Sequence, residues 1–311
     1  MQAHGGWDLG PQFLVWSADP AALVLIPLAA LLYARGLASL GSPRRFHDGW
    51  RPLAFYLGLA SALAALVGPL DHLAGELFLA HMVQHVVLIL VAVPLVLLGA
   101  PVLPMMRGVP RVVRRNALIP LLKLRPVRAL LRLISQPLVA WLLFVGTFLG
   151  WHFALAFETA ATNEAVHILE HASFAIGAYL FWWNIIDPLP LKANLSYLAR
   201  VPYIFMTVVP NFILGAFLTF APTAWYGVYA ASTARYGMTG LEDQQLGGVI
   251  MWIPGSFIIG TALVIDLAMA VRLEQREQLA LEAGQQGTAL HPLARAEPPS
   301  TTNPVERSPK R

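Results

Sequence analysis

Seven stretches of this chain are long and apolar enough to cross a membrane, and no other feature constrains its fold as tightly. They fall at roughly 19–38, 52–70, 77–99, 137–157, 164–186, 200–222 and 246–271, each near the about 20 mostly apolar residues that a hydrocarbon core requires. The composition agrees, with 57% hydrophobic and 12% charged residues against about 25% charged in a soluble domain. The expected fold is therefore all-α: a polytopic, seven-transmembrane helical bundle over residues 1–271, followed by a Pro-rich tail, 272–311, too poor in apolar residues to fold. Residues 1–18 lack a basic n-region, so no signal peptide is expected there.

Charge placement sets the orientation. Assigning loops alternately to the two sides puts all but Arg235 of the 21 Lys and Arg on one side. The positive-inside rule then predicts an N-terminus outside and a C-terminus in the cytoplasm. The formal net charge of +4 thus reflects membrane topology, and no nucleic-acid partner is expected. The long cytoplasmic loop 100–136 contains "PLLKLRPVRALLRLIS", which alternates basic and apolar residues and suits the headgroup layer of membrane lipids. Trp7, Trp16, Trp151, Trp182, Trp183 and Trp225 fall near the ends of spans and are expected to anchor at the interfaces. Pro94, Pro210 and Pro254 lie inside spans, and Asn211 is expected to bridge two helices.

The chain has no cysteine, which excludes disulfides and thiolate metal sites. Any metal must be held by His, Met or carboxylate. Of nine histidines, His4, His47 and His291 fall in termini or a loop, and His72 lies in an external turn. The other five, His81, His85, His152, His167 and His171, fall at the outer ends of three consecutive spans. "HMVQH" and "HILEH" each place two imidazoles at i, i+4, on one helical face. A lone His in a bundle is ordinarily structural, but five titratable groups at one depth in a membrane point to function. Neutral imidazole suits copper, zinc, iron and nickel. A proton relay or a structural polar network is the alternative. Met82 and Met251 lie at comparable depth and offer the soft thioethers that Cu(I) favours. Glu170 and Gln84 are placed to orient ligating imidazoles, and Asp243 and Gln244 stand at the mouth of the last span. A metal bound by imidazole would leave as pH falls below about 6.

Three functions compete on these residues. A haem-binding, b-type cytochrome-like redox protein would use facing histidines, yet the inner half of the bundle offers none and five exceed what one haem needs. A zinc-dependent hydrolase would use the H-x-x-E-H pattern at 167–171 with Glu170 as base, although "HMVQH" has Gln84 at the equivalent position. A non-catalytic handler of copper ions at the outer face needs an accessible, cysteine-free site there. A permease would continue its polar groups through the inner half, where Asn211 and Asp266 are the few present.

"HMVQHVVLILVAVPLVLLGAP" (81–101), "WHFALAFETAATNEAVHILEHASFAIGAYLFWW" (151–183) and "DQQLGGVIMWIPG" (243–255) resemble segments of the multi-pass CtaG family of cytochrome c oxidase assembly factors, of the caa3-related type. This family is distinct from the single-span copper chaperone of the same name. The resemblance implies a non-enzymatic bacterial plasma-membrane protein that partners haem–copper cytochrome c oxidase subunits or other assembly factors and inserts copper. It maps the family pattern onto His81, His85, His152, His167, His171, Asp243 and Gln244.

Overall fold

Each of the seven apolar runs carries a helix in the computed structural model, which describes residues 15–40, 49–187 and 191–290. His4, Trp7, Arg44, Arg45, His47, His291 and the tail beyond Leu290 lie outside the described residues. A two-residue strand, β1 (Ser17–Ala18), leads into α1 (Pro20–Ser39) and pairs antiparallel with β2 (Val67–Gly68), which follows α2 (Trp50–Leu66). The short helix α3 (Pro69–Ala74) then precedes α4 (Phe78–Leu98). After α5 (Val102–Gly108) come short helical turns from Arg111 to Lys123 and α6 (Arg125–Ile134). The remaining helices are α7 (Pro137–Trp151), α8 (Ala154–Thr162), α9 (Glu164–Trp183), α10 (Tyr197–Thr219) and α11 (Gly240–Leu290).

The chain is thus nearly all-α, and its outer faces leave Val24, Leu57, Phe217 and Val264 bare, as lipid contact requires. Among the described residues, length and hydropathy mark four helices as able to cross a membrane: α1, α4, α10 and the Gly240–Arg276 part of α11. A fifth is added if α6 and α7, which meet at a bend of 71°, count as one broken span. The expected seven is not reached for local reasons. Helix α2 has 17 residues and α7 has 15. In α9 the residues His167, Glu170 and His171 lower the hydropathy of an otherwise apolar helix.

Span four, expected to run from 137 to 157, is interrupted at His152. The His152 ring Nδ1 lies 2.6 Å from the Phe148 carbonyl, the acceptor that the His152 amide would use in a continuous helix. The amide turns instead to Leu149 O at 3.2 Å, α7 ends, and α8 starts two residues on. Within α4 the turn before Pro94 widens to π-type pairing over Val87–Ala92, a common response to a missing proline N–H. The Ile89 carbonyl in that turn accepts the indole N–H of Trp182 at 3.0 Å. Trp182 is therefore 3% exposed and part of the core with Phe144, Phe174 and Phe181, not the interface anchor its position suggests. Asn211 donates to Met251 O at 3.4 Å, tying α10 to α11.

Elsewhere small residues set helix spacing. A Cβ on Gly36 of α1 would stand 1.8 Å from Pro104 O of α5, so this crossing exists only with glycine. By contacts, the chain divides into two units, Met1–Leu267 and Ala268–Arg311.

Candidate metal centre

Three capping interactions position the histidines. Asn163 accepts from the amides of Ala165 and Val166 at 3.0 and 3.2 Å and starts α9, which sets His167, Glu170 and His171 in its first two turns. Asp243, from α11, accepts from the amides of Phe78 and Leu79 at 2.7 and 2.9 Å. It thereby caps the N-terminus of α4, one turn before His81. Asp19 caps α1 through Ala21 and Ala22, and its second oxygen stands 3.5 Å from His171 Nδ1.

These helices bring four imidazoles and one carboxylate together. The ring centres of His81 and His85 are 4.3 Å apart, those of His167 and His171 4.1 Å. Across the helix interface His81 faces His167 at 5.6 Å and His85 faces His171 at 5.5 Å. Glu170, fully buried, points its Oε1 to within 3.7 Å of His81 Nε2 and 3.8 Å of His85 Nε2. The ligand atoms of His81, His85 and Glu170 all lie within 4.8 Å of one another.

Those separations are too long for hydrogen bonds, and His81 Nε2, His85 Nε2 and both Glu170 oxygens have no hydrogen-bond partner. An unsatisfied buried polar group costs about 1–3 kcal/mol, and three such atoms, His81 Nε2, His85 Nε2 and Glu170 Oε1, lie together. Two ligands each about 2.0–2.1 Å from a tetrahedral ion stand about 3.4 Å apart, so a small closure fits the group around one cation. The donor set, imidazole and carboxylate, suits a first-row transition metal.

Tyr229, in the α10–α11 connection, orients His81. Its hydroxyl donates to Ala74 O at 3.1 Å and stands 3.4 Å from His81 Nδ1. Burial, with Glu170 and Asp243 nearby, pushes the phenol well above its ordinary value, so it remains a donor. Its oxygen is free to accept the His81 Nδ1–H, which leaves the Nε2 lone pair facing Glu170. Tyr226 likewise donates to His152 O at 2.9 Å. A cavity of about 180 Å³, lined by Asp71, His167, Tyr229 and His81 among others, reaches this side of the group.

The other expected residues are placed as follows. His152 is buried and lines a separate cavity with His85, Met82 and Met251. Gln84 donates to Ala65 O and Asp71 Oδ1, each at 2.8 Å. Gln244 Oε1 accepts from the Trp225 amide at 2.6 Å. Both Asp243 oxygens serve the α4 amides, so this residue frames the group from behind the backbone. Glu170, expected to support a ligating His, stands among the converging atoms themselves. Sequence reasoning missed Asp19, Tyr226 and Tyr229. Asp19 carried a readable signal only as a helix cap before Pro20.

A family model described as "Cytochrome c oxidase caa3 assembly factor (Caa3_CtaG)" matches residues 31–272. An uncharacterized protein of Mycobacterium bovis is 27% identical over 248 residues, 76% of this chain and 36% of its own length. An uncharacterized protein of Mycobacterium tuberculosis matches to the same extent. One from Mycobacterium leprae is 24% identical over 271 residues, 85% of this chain and 40% of its own length. The chain therefore spans 36–40% of the length of these relatives. No solved structure matches it. With the family match covering most of the chain, this protein belongs to the cytochrome c oxidase caa3 assembly factors.

Proposed function

We propose that the protein binds copper near the outer face of a bacterial plasma membrane and delivers it to cytochrome c oxidase subunits, or to another assembly factor, without itself catalysing a reaction. In this reading the seven apolar runs are seven spans, the N-terminus lies outside and the basic loops face the cytoplasm. Helix α2, the bent α7 and the polar-headed α9 then join the four long helices in the bilayer. Family membership supports the assembly role. One observation carries the metal role: the facing atoms of His81, His85 and Glu170 converge within 4.8 Å, buried and without hydrogen-bond partners. His167 and His171 complete the donor set, and copper is the cargo that a haem–copper oxidase requires.

The test is metal analysis of detergent-purified protein beside a His81→Ala, His85→Ala variant. The expected result is copper bound by the parent chain and lost from the variant. Equal copper in both, or none in either after loading, overturns the proposal.

A further inference from the structure

Along α4, beyond His85, lies a cavity of about 50 Å³ bounded by α4, α7, α9, α10 and α11. It is not part of the His81–His85–Glu170 group, although His85 borders both. Its lining is apolar apart from His85, His152, Thr207 and Asn211, and it includes the sulfur-bearing Met82 and Met251. Among the described residues that line it there is no carboxylate.

His152 is the informative member. Its Nδ1 lies 2.6 Å from the Phe148 carbonyl, and a carbonyl only accepts, so Nδ1 carries the proton. Nε2 then bears a lone pair, has no partner, and belongs to a residue 6% exposed. A neutral imidazole with its tautomer fixed in this way is a ready metal ligand. Met82 and Met251, 1% and 4% exposed, contribute soft, neutral thioethers to the same cavity.

We propose that His152 Nε2 and the sulfurs of Met82 and Met251 form a second metal site, selective for a soft monovalent cation of the Cu(I) or Ag(I) kind. This deepens the copper-binding reading above and rests on it. Charge decides the selectivity. The cost of burying an ion rises with the square of its charge, and this cavity offers no anion to offset a dication. Glu170 is not among the residues that line the cavity; its Oε1 faces His81 and His85, so a dication is best compensated there. The imidazole of His85, whose two ring nitrogens both lack partners, connects the sites. The competing occupant is water, for which the cavity has room.

The experiment uses the full chain in detergent, titrated without oxygen with Ag(I) and, separately, Zn(II). Met82→Leu, Met251→Leu preserves side-chain volume and tests the cavity; Glu170→Gln tests the other group. The expected result is two Ag(I) per wild-type chain and one in the double-leucine variant, with Zn(II) binding unchanged as the control for folding. Glu170→Gln weakens Zn(II) at least tenfold and retains the cavity's Ag(I). X-ray absorption of Cu(I)-loaded protein adds a direct reading. The chain has no cysteine, so any sulfur around copper is methionine, and the double-leucine variant loses it. Wild-type Ag(I) stoichiometry and copper–sulfur scattering in that variant overturn the second site. A single Ag(I), lost with Glu170→Gln, also overturns it while leaving the proposed function intact. Absence of binding by either ion overturns both.

Discussion

Replacing Asp243 separates two roles that a carboxylate beside a metal group can play. Its side chain is fully buried and accepts two backbone hydrogen bonds, at 2.7 and 2.9 Å. Hydrogen bonds to a charged group contribute about 1.5–3 kcal/mol each, and the orphaned amides add their desolvation. Asp243→Ala is therefore expected to destabilise the fold by about 3–6 kcal/mol. Asp243→Asn keeps one acceptor oxygen but turns an NH2 towards the second amide, so it retains less than half of the interaction and costs about 2–3 kcal/mol. At about 2–4 °C per kcal/mol, the alanine variant melts roughly 10 °C below the parent. The assay is intrinsic-fluorescence melting in detergent, paired with Zn(II) titration below the melting range. Asp243→Asn should bind Zn(II) within about threefold of wild type, because the atoms facing the metal are unchanged. A variant that melts like the parent yet loses the ion would refute the reasoning, since Asp243 would then act on the metal and not on α4.

Arg200, 4% exposed, pairs with Asp187 at 2.9 Å and with the buried Asp266 at 3.4 Å. Arg200→Ala leaves Asp266 uncompensated and should cost about 3–5 kcal/mol, part of which returns in the Arg200→Ala, Asp266→Ala double variant when both are melted side by side. A Cβ on Gly247 would stand 2.3 Å from Phe78 Cδ1, and Phe78 is held by stacking on Tyr226 at 4.8 Å. Gly247→Ala should therefore cost about 1–3 kcal/mol through overpacking, read as a lower melting temperature; an unchanged one would mean the ring moves freely.

Much of this architecture is legible in the residue order because a bilayer imposes one simple requirement on every span. The helices, the i, i+4 imidazole pairs and their grouping all follow from length, hydropathy and the 3.6-residue period. What escaped depends on contacts between distant segments. The break after Trp151 arises because one imidazole captures the carbonyl that would continue the helix. Asp243 reads as a mouth residue until its partners, two amides of another helix, are known. Asp19 is near-terminal in sequence and adjoins His171 only through the fold, and Trp182 is drawn inward by a carbonyl in a widened turn. Glu170 reads as a support for a ligating imidazole, since a sequence cannot show that its oxygens lack partners.

Asp243 follows Phe78 by 165 residues, and this separation bears on how the chain is made. A nascent chain makes its helices in order, so α4 emerges with its first amides unsatisfied and waits for the segment that covers them. Both imidazole pairs are already made by then, without the cap that ends α4. A shortened product ending before α11 would carry His81, His85, His152, His167 and His171 and still lack a properly ended α4. Such a fragment leaves His81 and His85 on an unfinished helix, and synthesis of α11 becomes the step that first completes it.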